Sequence, residues 1–214
     1  MTIRDRYNYV LNWFRINMKI AETELDYNND FQLLVAVMLS AQCTDKRVNL
    51  ITPKLFADYP DVQKMSCAEP EVIYEYIKSC TYPNSKAKHL SETSRMLVEK
   101  YNGKLPDDVD ELQKLPGVGR KTAHVIAAVL FRQPKMPVDT HVFRVSARIG
   151  LTNNAKNVLQ TEKQLVKYIP ENDIPDAHHW LILHGRYVCT ARNPKCSSCG
   201  ISAFCKFYQQ NANK

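Results

Sequence analysis

Along most of the chain, apolar residues return at intervals of three and four, the spacing that lines one face of a helix. Ile3, Tyr7, Val10, Leu11 and Phe14 predict a first helix from residue 3 to about 20. Asn29-Asp30 can cap the next one, FQLLVAVMLSAQ, which is apolar nearly all round, belongs in a core and ends at Gln42. Thr44 and Asp45 open a helix through Val48 and Leu55 toward Asp58-Tyr59-Pro60. Pro70 suits the first turn of EVIYEYIKSC. The turn Thr81-Tyr82-Pro83-Asn84-Ser85 then leads into KAKHLSETSRMLVEKY, which Asn102-Gly103 terminates. Pro106 and Asp107-Asp108 start VDELQKL, and beyond Pro116-Gly117-Val118-Gly119 comes RKTAHVIAAVLF. Gln133 to Pro137 is a break, after which Asp139 caps THVFRVSARIG. Asn153-Asn154 precede a helix through Leu159, Leu165 and Ile169 that Pro170 stops, and Asp176 caps AHHWLILHGRYVC. No segment alternates with the period of a strand, so the expected fold class is all-α, without repeats or low-complexity segments.

Composition places the chain among ordinary globular proteins, with 44% hydrophobic and 24% charged residues. No apolar run reaches the roughly 20 residues that span a bilayer. The mixed, charged start MTIRDRYNYVLNWF does not read as a signal peptide. A cytosolic protein is expected. Charge changes the picture more. The net balance is +7, and after Asp176 no acid occurs while Arg186, Arg192, Lys195, Lys206 and Lys214 follow. A one-sided basic tail suits a polyanion, because neutralising phosphates releases condensed counterions; a plain soluble basic surface is the other reading.

The cysteines add candidate chemistry. Cys189, Cys196, Cys199 and Cys205 form the pattern C-x6-C-x2-C-x5-C, whereas Cys43, Cys67 and Cys80 are scattered and read as small core residues. A tight cluster in a cytosolic chain points to a metal rather than to disulfides. Four thiolates can surround one zinc ion or an iron–sulfur cluster. With only the middle pair at the C-x2-C spacing usual for zinc, the unequal intervals favour iron–sulfur. The loop between the first two ligands, TARNPK, would present Arg192 and Lys195 outward to phosphates.

A second site follows from Leu115 to Arg148, where six Lys or Arg and one acid lie beyond Gly117. Two short helices joined by Pro-Gly-x-Gly expose successive backbone N–H groups, and the glycines let a phosphate approach closely. The following helix sets its positive end beneath that phosphate. Such a hairpin, Gly117-Val118-Gly119-Arg120, grips one strand of backbone without reading bases. Lys121 stands in the first turn, where the helix dipole and Arg120 disfavour its charge and partial burial would lower its pKa further. A neutral amine suits Schiff-base chemistry; phosphate binding is the competing role. Asp139, eighteen residues on, is a plausible cap that could also accept a proton or steady positive charge.

Taken together, LPGVGRKTAHVI, VDTHVFRVSARIGL, HHWLILHGR, the cysteine tail and LLVAVMLSAQCTD resemble the endonuclease III family, the helix-hairpin-helix, iron–sulfur DNA glycosylases with lyase activity. The resemblance covers almost the whole chain. It implies a two-lobed protein with the DNA cleft between lobes: six helices over residues 23–134, with the hairpin at about 108–131, and a second lobe from 1–22 plus 135–214 with a [4Fe-4S] cluster at 189–205. It also implies that Lys121 attacks C1′ of a flipped-out nucleotide, expels an oxidised pyrimidine and permits β-elimination of the 3′ phosphate, with Asp139 assisting. Gly117 to Gly119 would hold the backbone, and Gln42 would fill the gap in the duplex. Its substrate would be double-stranded DNA with damaged bases or abasic sites, bound by a monomer in the cytoplasm at the nucleoid.

The chain departs from the family pattern in three places. The family's glycine-containing loop before N-x-K-A reads here Thr81-Tyr82-Pro83-Asn84-Ser85-Lys86-Ala87, with Tyr82 as the wedge between bases and Asn84 as a further DNA contact. His124 replaces an expected Asn and is read as packing. Cys43 replaces a common alanine and is read as inert. Two other functions stand beside the main one: a mismatch-specific adenine or thymine glycosylase of the same superfamily, and a non-catalytic, metal-stabilised DNA-binding module.

Overall fold

The computed structural model describes residues 1–211. Its regular elements are α1 (Ile3–Asn17), α2 (Asp30–Ser40), α3 (Asp45–Asp58), α4 (Val62–Ser66), α5 (Pro70–Ile77), α6 (Pro83–Tyr101), α7 (Val109–Lys114), α8 (Arg120–Phe131), α9 (Thr140–Ile149), α10 (Val158–Tyr168), α11 (Ile174–Tyr187) and α12 (Lys206–Asn211), with short 3-10 turns. Among the described residues there is no strand, and no helix is long and apolar enough to cross a membrane. Lys214, counted in the basic tail, lies outside the described residues. The chain forms two compact units, Glu24–Phe131 and Met1–Thr23 with Arg132–Lys214.

The unit Glu24–Phe131 is built around α2. Phe31 and every residue from Leu33 to Leu39 are buried. Each fully buried large apolar side chain there contributes about 1.5–3 kcal/mol. The Asn29 side chain caps the helix, accepting from the Gln32 N–H at 2.9 Å. The helix stops at Ser40, two residues short of Gln42, because the Lys86 ammonium takes the Leu39 and Ala41 carbonyls at 2.7 and 2.8 Å. That replaces another helical turn as their partner. α6 begins at Pro83 rather than Lys86, since proline suits a first helical position and Tyr82 supplies the bend with φ 53°. α4 was not expected: five residues are too few to show a period, and it is held by an Asp61 cap and buried Val62 and Met65. With it, the unit carries seven helices where the resemblance implied six. His124 is buried, as a packing residue would be, but Cys67 is exposed and is not part of a core.

The second unit is discontinuous because α1 needs the C-terminal helices to cover its apolar face. The Tyr7 hydroxyl donates to the Leu151 carbonyl at 2.8 Å, Phe14 stacks on Trp180 at 5.8 Å, and the Trp180 indole N–H donates to the Met18 carbonyl. α1 therefore ends at Asn17, earlier than expected. Asn157 caps α10, which follows Asn153-Asn154 as expected. Asp176 does not cap α11, which starts at Ile174 with Pro175 in its first turn; Asp176 instead pairs with Arg132 at 2.7 Å.

Behind that pair, His179 is only 8% exposed, and burial pushes its imidazole down to about 4. An unfolded histidine titrates near 6.5, so as pH falls the unfolded chain takes up the proton first. The stability tied to this residue is complete above about 6.5 and is lost as pH falls toward 4. Going from pH 7 to pH 5 should cost about 2 kcal/mol at His179. Urea midpoints for the parent and His179→Gln at the two pH values check this, the variant losing that part of the pH slope.

Candidate functional site

The hairpin between α7 and α8 is braced by α6. The Asp108 carboxylate caps α7, accepting from the Asp110 and Glu111 N–H groups, and the chain then turns at Pro116-Gly117. The Thr93 hydroxyl donates to the Pro116 carbonyl at 2.7 Å. Gly117 has φ 78°, and a Cβ there would lie 2.8 Å from the His89 side chain, so both conformation and space require glycine. Val118 is buried and its N–H donates to the Leu115 carbonyl at 3.0 Å. It therefore shapes the turn rather than offering a side chain or an amide to a ligand, contrary to its expected contact role. Gly119 faces open space, with nothing within 4 Å of a Cβ placed on it.

The first-turn N–H groups of α8 have no carbonyl partner within the helix. Gly117, Gly119, Arg120 and Lys121 are exposed beside them, in a form that accepts an anion. Lys121 is thus not partly buried as expected. Gly117→Ala should destabilise the protein by about 1–3 kcal/mol through left-handed strain and the His89 contact. Gly119→Ala should cost less than about 1 kcal/mol. Thermal midpoints of the two variants check the contrast.

A second exposed edge of the same unit carries Gln42, Tyr82 and Asn84. Gln42 and Tyr82 both hold left-handed backbone, φ 56° and 53°, a costly conformation for side chains of that size. The Thr81 hydroxyl donates to the Gln42 carbonyl at 2.7 Å, joining the two loops, and buried Lys86 anchors one of them. Burial moves the Lys86 pKa below the ordinary lysine value. Lys86 was not singled out from the sequence; a lysine one turn into a helix, behind a proline, was the available signal. Asn84 lies in the first turn of α6.

In the discontinuous unit, Asp139 is the cap of α9, its Oδ1 accepting from the Val142 N–H at 2.7 Å. At the other end of α9, Cys189, Cys196, Cys199 and Cys205 line one cavity with Ile149 and His184. The four are free thiols. Gathered around that one cavity, four thiols can hold a multi-atom iron–sulfur core. Burial pushes the Cys199 and Cys205 thiols above their ordinary range, and the neighbouring thiols add to it. A cationic core would relieve that crowding.

Two arginines on α9 hold the cluster loop. The Arg148 guanidinium donates to the Thr190 and Ala191 carbonyls at 2.7 Å, reaches the Cys189 Sγ at 3.5 Å and lies over the Phe207 ring. Arg144 donates to the Gly185 and Cys189 carbonyls. His184 stands with its Nε2 3.7 Å from the Cys199 Sγ, and burial lowers its imidazole to about 4. Arg192 and Lys195 are exposed on the loop so held. Arg144 and Arg148 were not picked out from the sequence. Their i, i+4 spacing on a strongly amphipathic helix was the signal that both serve one face.

Residues 35–171 match the family model described as HhH-GPD superfamily base excision DNA repair protein, and residues 189–205 match the iron-sulfur binding domain of endonuclease III. Endonuclease III of Rickettsia felis is 48% identical over 202 residues, 94% of this chain and 94% of that protein. Endonuclease III of Escherichia coli K12 is 44% identical over 201 residues, 94% of this chain and 95% of that protein. The solved structure of a trapped endonuclease III–DNA covalent intermediate superimposes with a TM-score of 0.91 at 40% identity, covering 99% of this chain and all of that one.

Proposed function

The chain belongs to the endonuclease III family of base-excision DNA repair proteins, and from that premise we infer that it is a bifunctional DNA glycosylase and abasic-site lyase. Its substrate is double-stranded DNA carrying damaged bases or abasic sites, and its cofactor is a [4Fe-4S] cluster held by Cys189, Cys196, Cys199 and Cys205. Bound there, the cluster would cross-link the four thiolates and stiffen the 190–195 loop. The Arg148 contacts already hold that loop from α9, and Arg144 holds Cys189 just before it.

The chemistry falls to two side chains. Lys121 Nζ attacks C1′ of the extruded nucleotide as the oxidised pyrimidine leaves, forming an imine that allows the 3′ phosphate to depart by β-elimination. The Asp139 carboxylate takes up the amine proton and steadies positive charge at the sugar. Gly117, Gly119 and Arg120 grip the backbone, Gln42 fills the space left in the duplex, Tyr82 wedges between bases, and Asn84, Arg192 and Lys195 add polar and phosphate contacts. One site per chain suffices, so the protein works as a monomer, at the nucleoid.

The observation that carries this reading is an exposed lysine in the first turn of the helix that follows the Pro-Gly-x-Gly hairpin, in a chain matching its relatives over nearly their whole length. The test is borohydride reduction with a panel of damaged duplexes. A trapped covalent complex and strand scission on thymine-glycol DNA are expected. Adenine excision opposite oxidised guanine without thymine-glycol activity would move the chain to the mismatch-specific branch. Tight binding without scission would leave only a DNA-binding module.

A further inference from the structure

The loops that present Gln42 and Tyr82 also carry a pair of thiols. Cys43 follows Gln42 directly, and Cys80 stands two residues before Tyr82. Their sulfurs lie 3.7 Å apart, within S–H···S reach, although 37 residues separate them. Neither belongs to the cluster set. Cys80 is 5% exposed and packed into the core of its unit, whereas Cys43 is half-buried.

We propose that Cys43 and Cys80 form an oxidisable pair that hydrogen peroxide converts to a disulfide, weakening the engagement of DNA by displacing Gln42. The step balances. Cys43 sulfur attacks the peroxide oxygen to give a sulfenic acid and water, the O–O bond breaking. Cys80 sulfur then displaces the hydroxyl, forming the S–S bond and a second water. Two thiols lose two electrons and two protons, and one peroxide is reduced to two waters. The more accessible Cys43 is oxidised first, and Cys80 resolves it. Burial holds the Cys80 thiol up at about 11, with the Cys43 contact adding to the rise, so this second half is the slow one.

The consequence follows from which end can move. Closing 3.7 Å to a bonded distance of about 2.05 Å needs the sulfurs to approach by more than an ångström. Cys80 is set in a close-packed core, so Cys43 must yield. Gln42 moves with it, and its φ of 56° and the 2.7 Å bond from Thr81 to its carbonyl leave little slack. A residue that must enter the duplex is then misplaced by the distance that preorganised sites do not tolerate. The effect on DNA rests on the proposed role of Gln42; formation of the bond does not.

The test uses the full chain with its cluster. After hydrogen peroxide, a catalase quench and alkylation, peptide mapping without reduction should show the Cys43 and Cys80 peptides joined. Affinity for a duplex with a non-reactive abasic analogue should fall about tenfold and return with dithiothreitol. Cys43→Ala should bind like the reduced parent and ignore peroxide, with the visible absorption of the cluster followed in both proteins. Cys80→Ser repeats the comparison from the other side. The proposal is overturned if the peptides stay separate, if they join while affinity is unchanged, or if peroxide weakens Cys43→Ala as much as the parent. Should reduced protein cleave damaged duplex while the thiols never join, only the thiol pair falls. Should the thiols join in a protein that does not act on damaged DNA, the functional reading falls instead.

Discussion

Replacing Lys121 with glutamine is expected to eliminate the borohydride-trapped complex and to slow strand scission at abasic sites by about 10^5-fold. That is the order seen when a covalent nucleophile is removed from an enzyme, and it corresponds to about 7 kcal/mol of barrier. An amide cannot form the imine through which β-elimination proceeds. Because Lys121 is exposed, the substitution removes no core contact, and the thermal midpoint should stay within the small range of surface changes. Phosphate binding, the rival role, predicts a different pattern. Lys121→Arg keeps the charge but not the nucleophile. If the lysine only held a phosphate, arginine would preserve scission, and glutamine would cost a modest factor in affinity with a shallower salt dependence. For the imine route, arginine is as inactive as glutamine while binding DNA like the parent. Single-turnover scission and salt-dependent binding, measured on both variants, separate the two.

Asp139→Asn should lower single-turnover excision by about 10^2- to 10^4-fold, the contribution usual for a positioned acid–base group. The substitution is informative because of what it spares. Asp139 Oδ1 caps α9 through the Val142 N–H, and asparagine caps helices about as well as aspartate. The variant should therefore fold like the parent and bind a non-reactive abasic duplex with similar affinity, losing only the group that takes a proton. Asp139→Ala removes both functions and should cost about 1 kcal/mol of stability in addition. Parallel activity loss in the two variants, with instability confined to alanine, is the expected result. If asparagine retains activity, Asp139 is a cap and nothing more.

What could be read from the residues depends on how far apart the interacting groups lie. Asn29, Thr44, Asp108 and Asp139 all cap the helices expected of them, since each cap is a bond to an amide two or three residues away. The hairpin and the cysteine quartet are likewise local patterns, and the all-α class follows from a period sustained over ten segments. Asp176 misled for the same local reason: a good capping residue lay near a helix start, but the helix begins at Ile174 with Pro175 in its first turn, and Arg132, 44 positions away, claimed the carboxylate.

The sequence by itself thus determined the helices, most of their caps, the Pro-Gly-x-Gly turn with its lysine, and a cysteine spacing suited to an iron–sulfur cluster. Only the tertiary structure decided that His89 sits against Gly117, that Val118 turns inward while Lys121 stays exposed, that Lys86 is buried to end α2, and that Arg148 ties down the cluster loop. It also brought Cys43 to Cys80. These partners are separated by tens of residues, and their meeting is set by how whole helices pack to bury apolar faces. No local spacing encodes that arrangement.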